Sequence, residues 1–192
     1  MPSAPAPAPA TARPALIVVD VQAGFDDPRW GARDNPDCEA NILALLRSWR
    51  DAGDPVVLVR HDSVSEGSPL RPGQPGNVLK PGVDGAHDLL VSKNVNSAFY
   101  GDPDLHAWLQ AQGIGSVVVC GIQTNKCCET TARMAGNLGY DTTFVLDATH
   151  TFDAPDLDGT TITAAELARV TAANLHGEFA TVRMTDEVLG AR

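Results

Sequence analysis

Three side chains in this sequence have the types and positions for nucleophilic chemistry: Asp20, Lys93 and Cys127. Ser116 to Cys120 is a β-branched run without polar alternation, which reads as a strand buried on both faces. Gly121 punctuates it. A run with helical spacing follows, carrying Cys128, Thr131, Ala132, Ala135 and Leu138 on one side. Thr124 or Asn125 can cap that helix. Cys127 then falls in its first turn, where unpaired N–H groups and the positive dipole end favour a thiolate. Asp20 ends one apolar run and Lys93 another. A carboxylate in a closed cleft can take a thiol proton and return it to a leaving amine. An ammonium beside it can hold the thiolate. Each residue also has a plain reading. Most cysteines simply pack, and Cys120 and Cys128 read that way. An Asp at a strand end can merely cap loop N–H groups, and a lone Lys is usually solvated.

The elements that would position these groups alternate strand and helix. Ala15 to Asp20 is a buried strand, and Asp20-Val-Gln22-Ala-Gly-Phe25 is the loop after it. Asn35-Pro36-Asp37 starts a helix with Ile42, Leu45, Leu46 and Trp49 inward, stopped at Gly53. Pro55 to Arg60 is the second strand. Residues 61–83 form a Gly-, Pro- and Ser-rich loop long enough to be a lid or a pocket wall. Asp88 to Lys93 is the third strand. Asp102-Pro103-Asp104 starts a helix with Leu105, Trp108 and Leu109 inward. Thr142 to Asp147 is the fifth strand. Thr163-Ala-Ala-Glu166 is a capping box that opens a helix with Leu167, Val170 and Thr171 inward. Phe179 to Arg183 is the sixth strand, and Thr185 starts a short terminal helix.

This alternation predicts a single α/β domain over residues 15–192, a Rossmann-like doubly wound sheet of six parallel strands, order 3-2-1-4-5-6, with helices on both faces. Strands one and four then lie side by side, and ligands bind outside their carboxyl ends. Asp20 and Cys127 reach that crevice directly; Lys93 has to reach back across the sheet. Residues 1–14, alternating Ala and Pro, read as a disordered polyproline-type tail without the layout of a signal peptide.

Composition narrows the function. The net charge of −10 disfavours nucleic acid and anionic membrane as partners. No apolar run approaches the ~20 residues of a membrane span. The four cysteines show no CxxC and no ligand spacing with the five histidines, so no zinc site or disulfide framework is expected. A reduced, cytoplasmic setting fits.

Asp20-Val-Gln22-Ala-Gly-Phe25, Lys93-Asn-Val-Asn-Ser97-Ala98-Phe99, Gly121-Ile122-Gln-Thr124-Asn-Lys-Cys127, Gly139-Tyr140 and Val145-Leu-Asp147-Ala148, in this order, resemble the isochorismatase-like cysteine hydrolases over about residues 15–190. The resemblance implies an Asp-Lys-Cys triad falling on Asp20, Lys93 and Cys127. It implies a cis peptide at Ile122–Gln123, aiming the N–H groups of Gln123 and Cys127 at a developing oxyanion. It also implies a homodimer or homotetramer. The Cys-Cys-Glu-Thr-Thr-Ala-Arg and Asp147-Ala-Thr-His150-Thr-Phe152 stretches are similar to a subgroup that includes streptothricin hydrolase-like amidases. Gln22, Phe25, Phe99, Tyr100, Thr124, His150 and Phe152, with Trp30, are the candidate pocket residues. The expected substrate is a small-molecule amide or lactam.

One departure concerns metal. Nicotinamidases of this superfamily hold a metal through an Asp-x-His pair, and Asp62 has no His two residues on. No metal and no cofactor are expected. Three rival readings remain. Family members that cleave a vinyl ether by acid catalysis do not need the cysteine. A nucleotide or redox module would need a G-x-G-x-x-G after strand one, where Val21-Gln-Ala-Gly-Phe25 stands. A catalytically inactive binding protein would have no use for all three triad positions.

Overall fold

The computed structural model describes residues 13–192, so the expected Ala/Pro tail lies almost wholly outside the described residues. Six parallel strands form the sheet in the order β3-β2-β1-β4-β5-β8. They are β1 (Ala15–Val19), β2 (Val56–His61), β3 (Leu89–Lys93), β4 (Ser116–Ile122), β5 (Asp141–His150) and β8 (Thr181–Arg183). This is the expected order 3-2-1-4-5-6. The last strand is eighth in the chain because an unanticipated two-stranded antiparallel ribbon, β6 (Ala154–Pro155) and β7 (Thr161–Ile162), precedes it.

The alternation of β1 divides the core. Leu16 and Val18 face α1 (Cys38–Ala52) and α5 (Thr185–Gly190), packing with Ile42, Leu45, Leu46 and Trp49. Ala15, Ile17 and Val19 point the other way, toward α2 (Leu105–Ala111), α3 (Glu129–Asn137) and α4 (Ala164–Leu175). All five β1 side chains are buried, as a strand covered by helices on both faces requires.

The helices largely follow their sequence signals. Asp104 caps α2 through Ala107 N–H, and Thr163 with Glu166 forms the capping box of α4. Gly53 takes the left-handed cap of α1. Three details differ. α1 starts at Cys38, not at Asn35; the Asn35 amide instead donates to the carbonyls of Asp147 (2.7 Å) and Thr149 (2.6 Å), tying this segment to β5. Leu138 and Val170 face outward, at 40% and 47% exposure. In α3 the small residues Ala132 and Ala135 meet the sheet side and let the helix approach closely, and in α4 Leu175 meets it. Trp108 is only half-buried, packed against the edge of the core.

The long segment after β2 is a fixed wall. The Gln22 amide donates to the carbonyls of His61 (3.0 Å) and Asn77 (2.8 Å), and its oxygen accepts from His61 N–H (2.8 Å). Asn77 in turn donates to the Leu70 carbonyl (2.8 Å). Gly76 lies so close that a Cβ there would stand 2.6 Å from Gly24 Cα. Such an array of buried polar bonds fixes the loop against the strand-one loop.

Candidate active site

Asp20, Lys93 and Cys127 come together at the carboxyl edge of the sheet. Asp20 follows β1 with φ of 53°, a left-handed conformation that a short polar side chain tolerates. Gly121 allows the crossing beside it. With φ of 132°, a Cβ there would lie 2.0 Å from the Val19 carbonyl oxygen, so only glycine lets β4 run past β1 at this point. The Ile122–Gln123 peptide is cis.

Cys127 does not sit in an ordinary α-helical first turn. Thr124–Cys128 is a wide π-type turn that leads into α3, and the N–H groups of Lys126 and Cys128 both donate to the Gln123 carbonyl (3.2 Å each). Neither expected cap acts as one. Thr124 donates to Thr149 Oγ1 (2.9 Å), and Asn125 Oδ1 accepts from Thr151 Oγ1 (2.6 Å).

Lys93 Nζ donates to Asp20 Oδ2 (2.6 Å), and neither side chain is exposed. Its reach across the sheet is made by the side chain itself. Asp20 Oδ1 is buried and has no partner among the described residues, which leaves one carboxylate oxygen free to accept a proton. Cys127 Sγ lies within 4.8 Å of an Asp20 carboxylate oxygen and feels the Lys93 charge beside it. Burial raises the Asp20 carboxyl above its usual range, opposed by Lys93. Burial works against the Lys93 charge, but Asp20 and Cys127 hold its ammonium protonated above the usual lysine range.

The thiol itself departs from expectation. Burial, then the Asp20 carboxylate, pushes Cys127 up to about 12, against the pull of Lys93. The resting form is therefore a thiol, not a thiolate. Its proton has an acceptor nearby, and the ammonium is placed to hold the anion once the proton moves. Cys128 is fully buried in the core with Ala132 and Ala135.

His61 is the residue that sequence reasoning missed. It ends β2 in register with Lys93, and its Nδ1 lies 3.2 Å from Lys93 Nζ. With Nδ1 facing an ammonium, the ring proton of the neutral imidazole belongs on Nε2. Burial, then Lys93, lowers its pKa, keeping it neutral and able to accept. Asp20, His61 and Cys127 bring one donor atom each within 4.8 Å of one another, a set that could ligate a soft divalent ion. Lys93 already supplies the cation in their midst, so these residues do not fit a resident metal. Asp62 is committed to Arg60 (2.8 Å) and Asn77 (3.0 Å).

A cavity of about 170 Å³ opens on Cys127, walled by Phe25, Trp30, Leu70 and His61, with Asn96, Gln123 and Lys126 at its polar side. Of the candidate pocket residues, Phe25 and Trp30 reach it. Phe152 stands behind them, stacked on both at 6.2 and 5.7 Å. His150 is buried behind Phe152, edge-on at 5.1 Å, with Nε2 3.8 Å from Glu39. Burial drops His150 to about 4. Gln22 braces the loop wall and Thr124 braces β5. Phe99 stacks on Tyr140 (5.9 Å) on the α2 and α3 side of the sheet. Tyr100, 69% exposed, lines a separate surface recess with Asp62 and Asp102. None of these last residues lines the Cys127 cavity, because the turn after Ser97 carries the chain away from it.

Comparison with known proteins places this geometry in a family. Residues 14–174 match the isochorismatase domain. The crystal structure of an isochorismatase-family protein from Chromobacterium violaceum superposes with a TM-score of 0.90 at 40% identity, covering 97% of each chain. Streptothricin hydrolase of Streptomyces noursei is 36% identical over 154 residues, 76% of this chain and 54% of that one. Nicotinamidase 3 of Arabidopsis thaliana is 32% identical over 153 residues, 72% of this chain and 74% of that one. Among the described residues no helix is long and apolar enough to cross a membrane. With a matching domain over most of its length and a relative of 40% identity along nearly all of it, the chain belongs to the isochorismatase family of hydrolases.

Proposed function

We propose that the protein is a cysteine-dependent amidohydrolase that opens a C–N bond of a small molecule through a thioester on Cys127. The observation that carries this reading is the fully buried pair beside the thiol: a carboxylate within 4.8 Å of Sγ that can take its proton, and the ammonium bonded to it that can hold the sulfur's charge. A vinyl ether hydrolase would need only the acid. Relatives named as a nicotinamidase and a streptothricin hydrolase support hydrolytic chemistry at this site.

In the first half-reaction Cys127 Sγ attacks the amide carbonyl carbon as its proton passes to Asp20. The carbonyl oxygen takes the negative charge, facing the N–H groups of Gln123 and Cys127. Collapse breaks the C–N bond, and Asp20 returns the proton to the departing nitrogen. In the second half-reaction Asp20 takes a proton from water as the water oxygen attacks the thioester. The C–S bond then breaks, the acid leaves, and the sulfur regains the proton. A raised Asp20 pKa suits both directions of transfer.

Acid quench during turnover of a primary aryl amide, followed by intact-mass analysis and peptide mapping, tests the assignment. An acyl adduct on Cys127 is expected, and none in Cys127→Ala. Full turnover by Cys127→Ala, or an adduct on Cys128, overturns it.

A further inference from the structure

The inner cavity alone is small. Its volume of about 170 Å³ lies below the ~300–1,000 Å³ typical of ligand sites. A second chamber of about 330 Å³ adjoins it, and the two share Trp30, His61 and Leu70 as common walls. Together they fall within the usual range. The chambers differ in chemistry. The inner one is bounded by the faces of Phe25 and Trp30 and by Leu70, surfaces suited to a flat apolar ring. The outer one is built from the residue 63–70 segment and Arg29.

We propose that the substrate has two parts: a flat aryl amide head in the inner cavity, and an uncharged, acceptor-rich tail that leaves the ring past Trp30 and Leu70 into the outer chamber. The inference rests on the amidohydrolase reading above and names the substrate class for that same site.

The hydrogen-bond state of the outer wall decides the tail's chemistry. Ser63 Oγ accepts from Ser65 N–H (3.3 Å), and Ser68 Oγ accepts from Leu70 N–H (3.2 Å). Each hydroxyl therefore has its O–H left to donate. Arg29 spends one N–H on the Gly67 carbonyl (2.7 Å) and pairs with Asp27 (3.0 Å), with further guanidinium donors remaining. Its charge is neutralised by Asp27, and the one further carboxylate on the wall, Glu66, is exposed to solvent, so the wall holds no buried charge for a tail to match. What the chamber offers is donors, and ether or carbonyl oxygens satisfy them. The tail belongs on the ring, not on the leaving nitrogen, because Trp30 and Leu70, walls of both chambers, are the ring's own contacts. The outer wall is also fixed, since Asn77 pins the Leu70 carbonyl and Gln22 pins the Asn77 carbonyl.

The test compares three amides on the intact protein: para-(methoxyethoxy)benzamide, its all-carbon match para-pentylbenzamide, and the cationic para-(aminobutyl)benzamide. The ether is expected to exceed the alkyl amide in kcat/KM by at least tenfold, with the cation no better than the alkyl. Filling the chamber with Ser65→Trp, at an exposed position, is expected to cut the ether-to-benzamide ratio of kcat/KM by at least tenfold. Equal values for ether and alkyl, a preference for the cation, or an unchanged ratio in Ser65→Trp would each overturn the two-part substrate. If those results come with an acyl adduct on Cys127, the amidohydrolase reading survives them. If no amide in the set is hydrolysed and no adduct forms, both fail.

Discussion

Lys93 Nζ and Asp20 Oδ2 lie 2.6 Å apart with both side chains fully buried, and they come from strands that are not neighbours in the sheet. Such a pair stabilises little against an apolar alternative, but breaking it on one side strands a charge. Lys93→Met should therefore lower stability by about 3–5 kcal/mol. Asp20→Asn combined with Lys93→Met should recover part of that loss. Denaturant midpoints of the four proteins in a double-mutant cycle measure it. A double variant as unstable as the sum of the singles would show that the pair is not coupled.

The proximity of Asp20 and Cys127 sets a second expectation, with opposite effects on two readouts. Asp20 raises the thiol pKa, yet in the proposed mechanism it is also the proton carrier. In Asp20→Asn the pH profile of Cys127 alkylation should shift to lower pH, while turnover falls by at least ~100-fold. Lys93→Met should shift the alkylation profile the other way. A profile that stays in place in Asp20→Asn would remove the carboxylate from the thiol's surroundings.

The same thiol makes stability depend on alkaline pH. Its folded pKa of about 12 stands above the ordinary 9.0, so the folded chain holds a proton that the unfolded chain releases. The stabilisation is fully present below about pH 9 and is lost as pH rises from there through 12. Lys93, also raised, acts in the same direction above its ordinary 10.5. Cys127→Ala should flatten the fall in unfolding free energy over this window by up to ~1.4 kcal/mol per pH unit. Equal slopes for the variant and the parent protein would count against a protonated resting thiol.

Much of this site was legible in the sequence because its chemistry sits where strands end. Asp20, Lys93 and Cys127 each follow an apolar run, and a parallel sheet brings such ends to one edge. His61 was overlooked although it stands at the same edge, in register with Lys93, because it read as the first residue of a loop. The signal was present: a titratable residue at the carboxyl end of a strand beside the central one. The aromatic lining was less legible. Phe99 and Tyr100 follow Lys93 closely in sequence, but the path of the turn after Ser97 decides where they point, and spacing does not encode that path. Gln22 looked like a substrate contact, yet its amide is consumed by His61 and Asn77. The outward Leu138 shows helical spacing overridden by the close approach that small residues permit.

The backbone crossing at Gly121 is a prerequisite for the site. Gly121→Ala puts a methyl group against the Val19 carbonyl, one residue before Asp20, and should either prevent folding or lower stability by at least ~3 kcal/mol. Gly115→Ala, where nothing lies within 4 Å of an added Cβ, should change stability by less than ~0.5 kcal/mol. Thermal or denaturant unfolding of the two variants compares them directly. A tolerated alanine at Gly121 would mean that β1 and β4 part differently from the register of Val19 with Gly121.

His61 acts through Lys93. Its Nδ1 faces the ammonium at 3.2 Å, so the neutral ring accepts from Lys93 and is not itself an acid or base. A glutamine can offer its amide oxygen to Lys93 in place of Nδ1; a leucine offers no acceptor. Loss of the acceptor leaves an ammonium donor buried and unmatched, which favours the neutral amine and weakens its hold on the sulfur anion. Alkylation of Cys127 by iodoacetamide reads this without involving substrate contacts. In His61→Leu the rate profile should move to higher pH, with the neutral-pH rate down about tenfold, the equivalent of one pKa unit. In His61→Gln the profile should stay close to that of the parent protein. If both variants alkylate alike, or if His61→Gln is as slow as His61→Leu while both fold, the acceptor role of His61 is refuted.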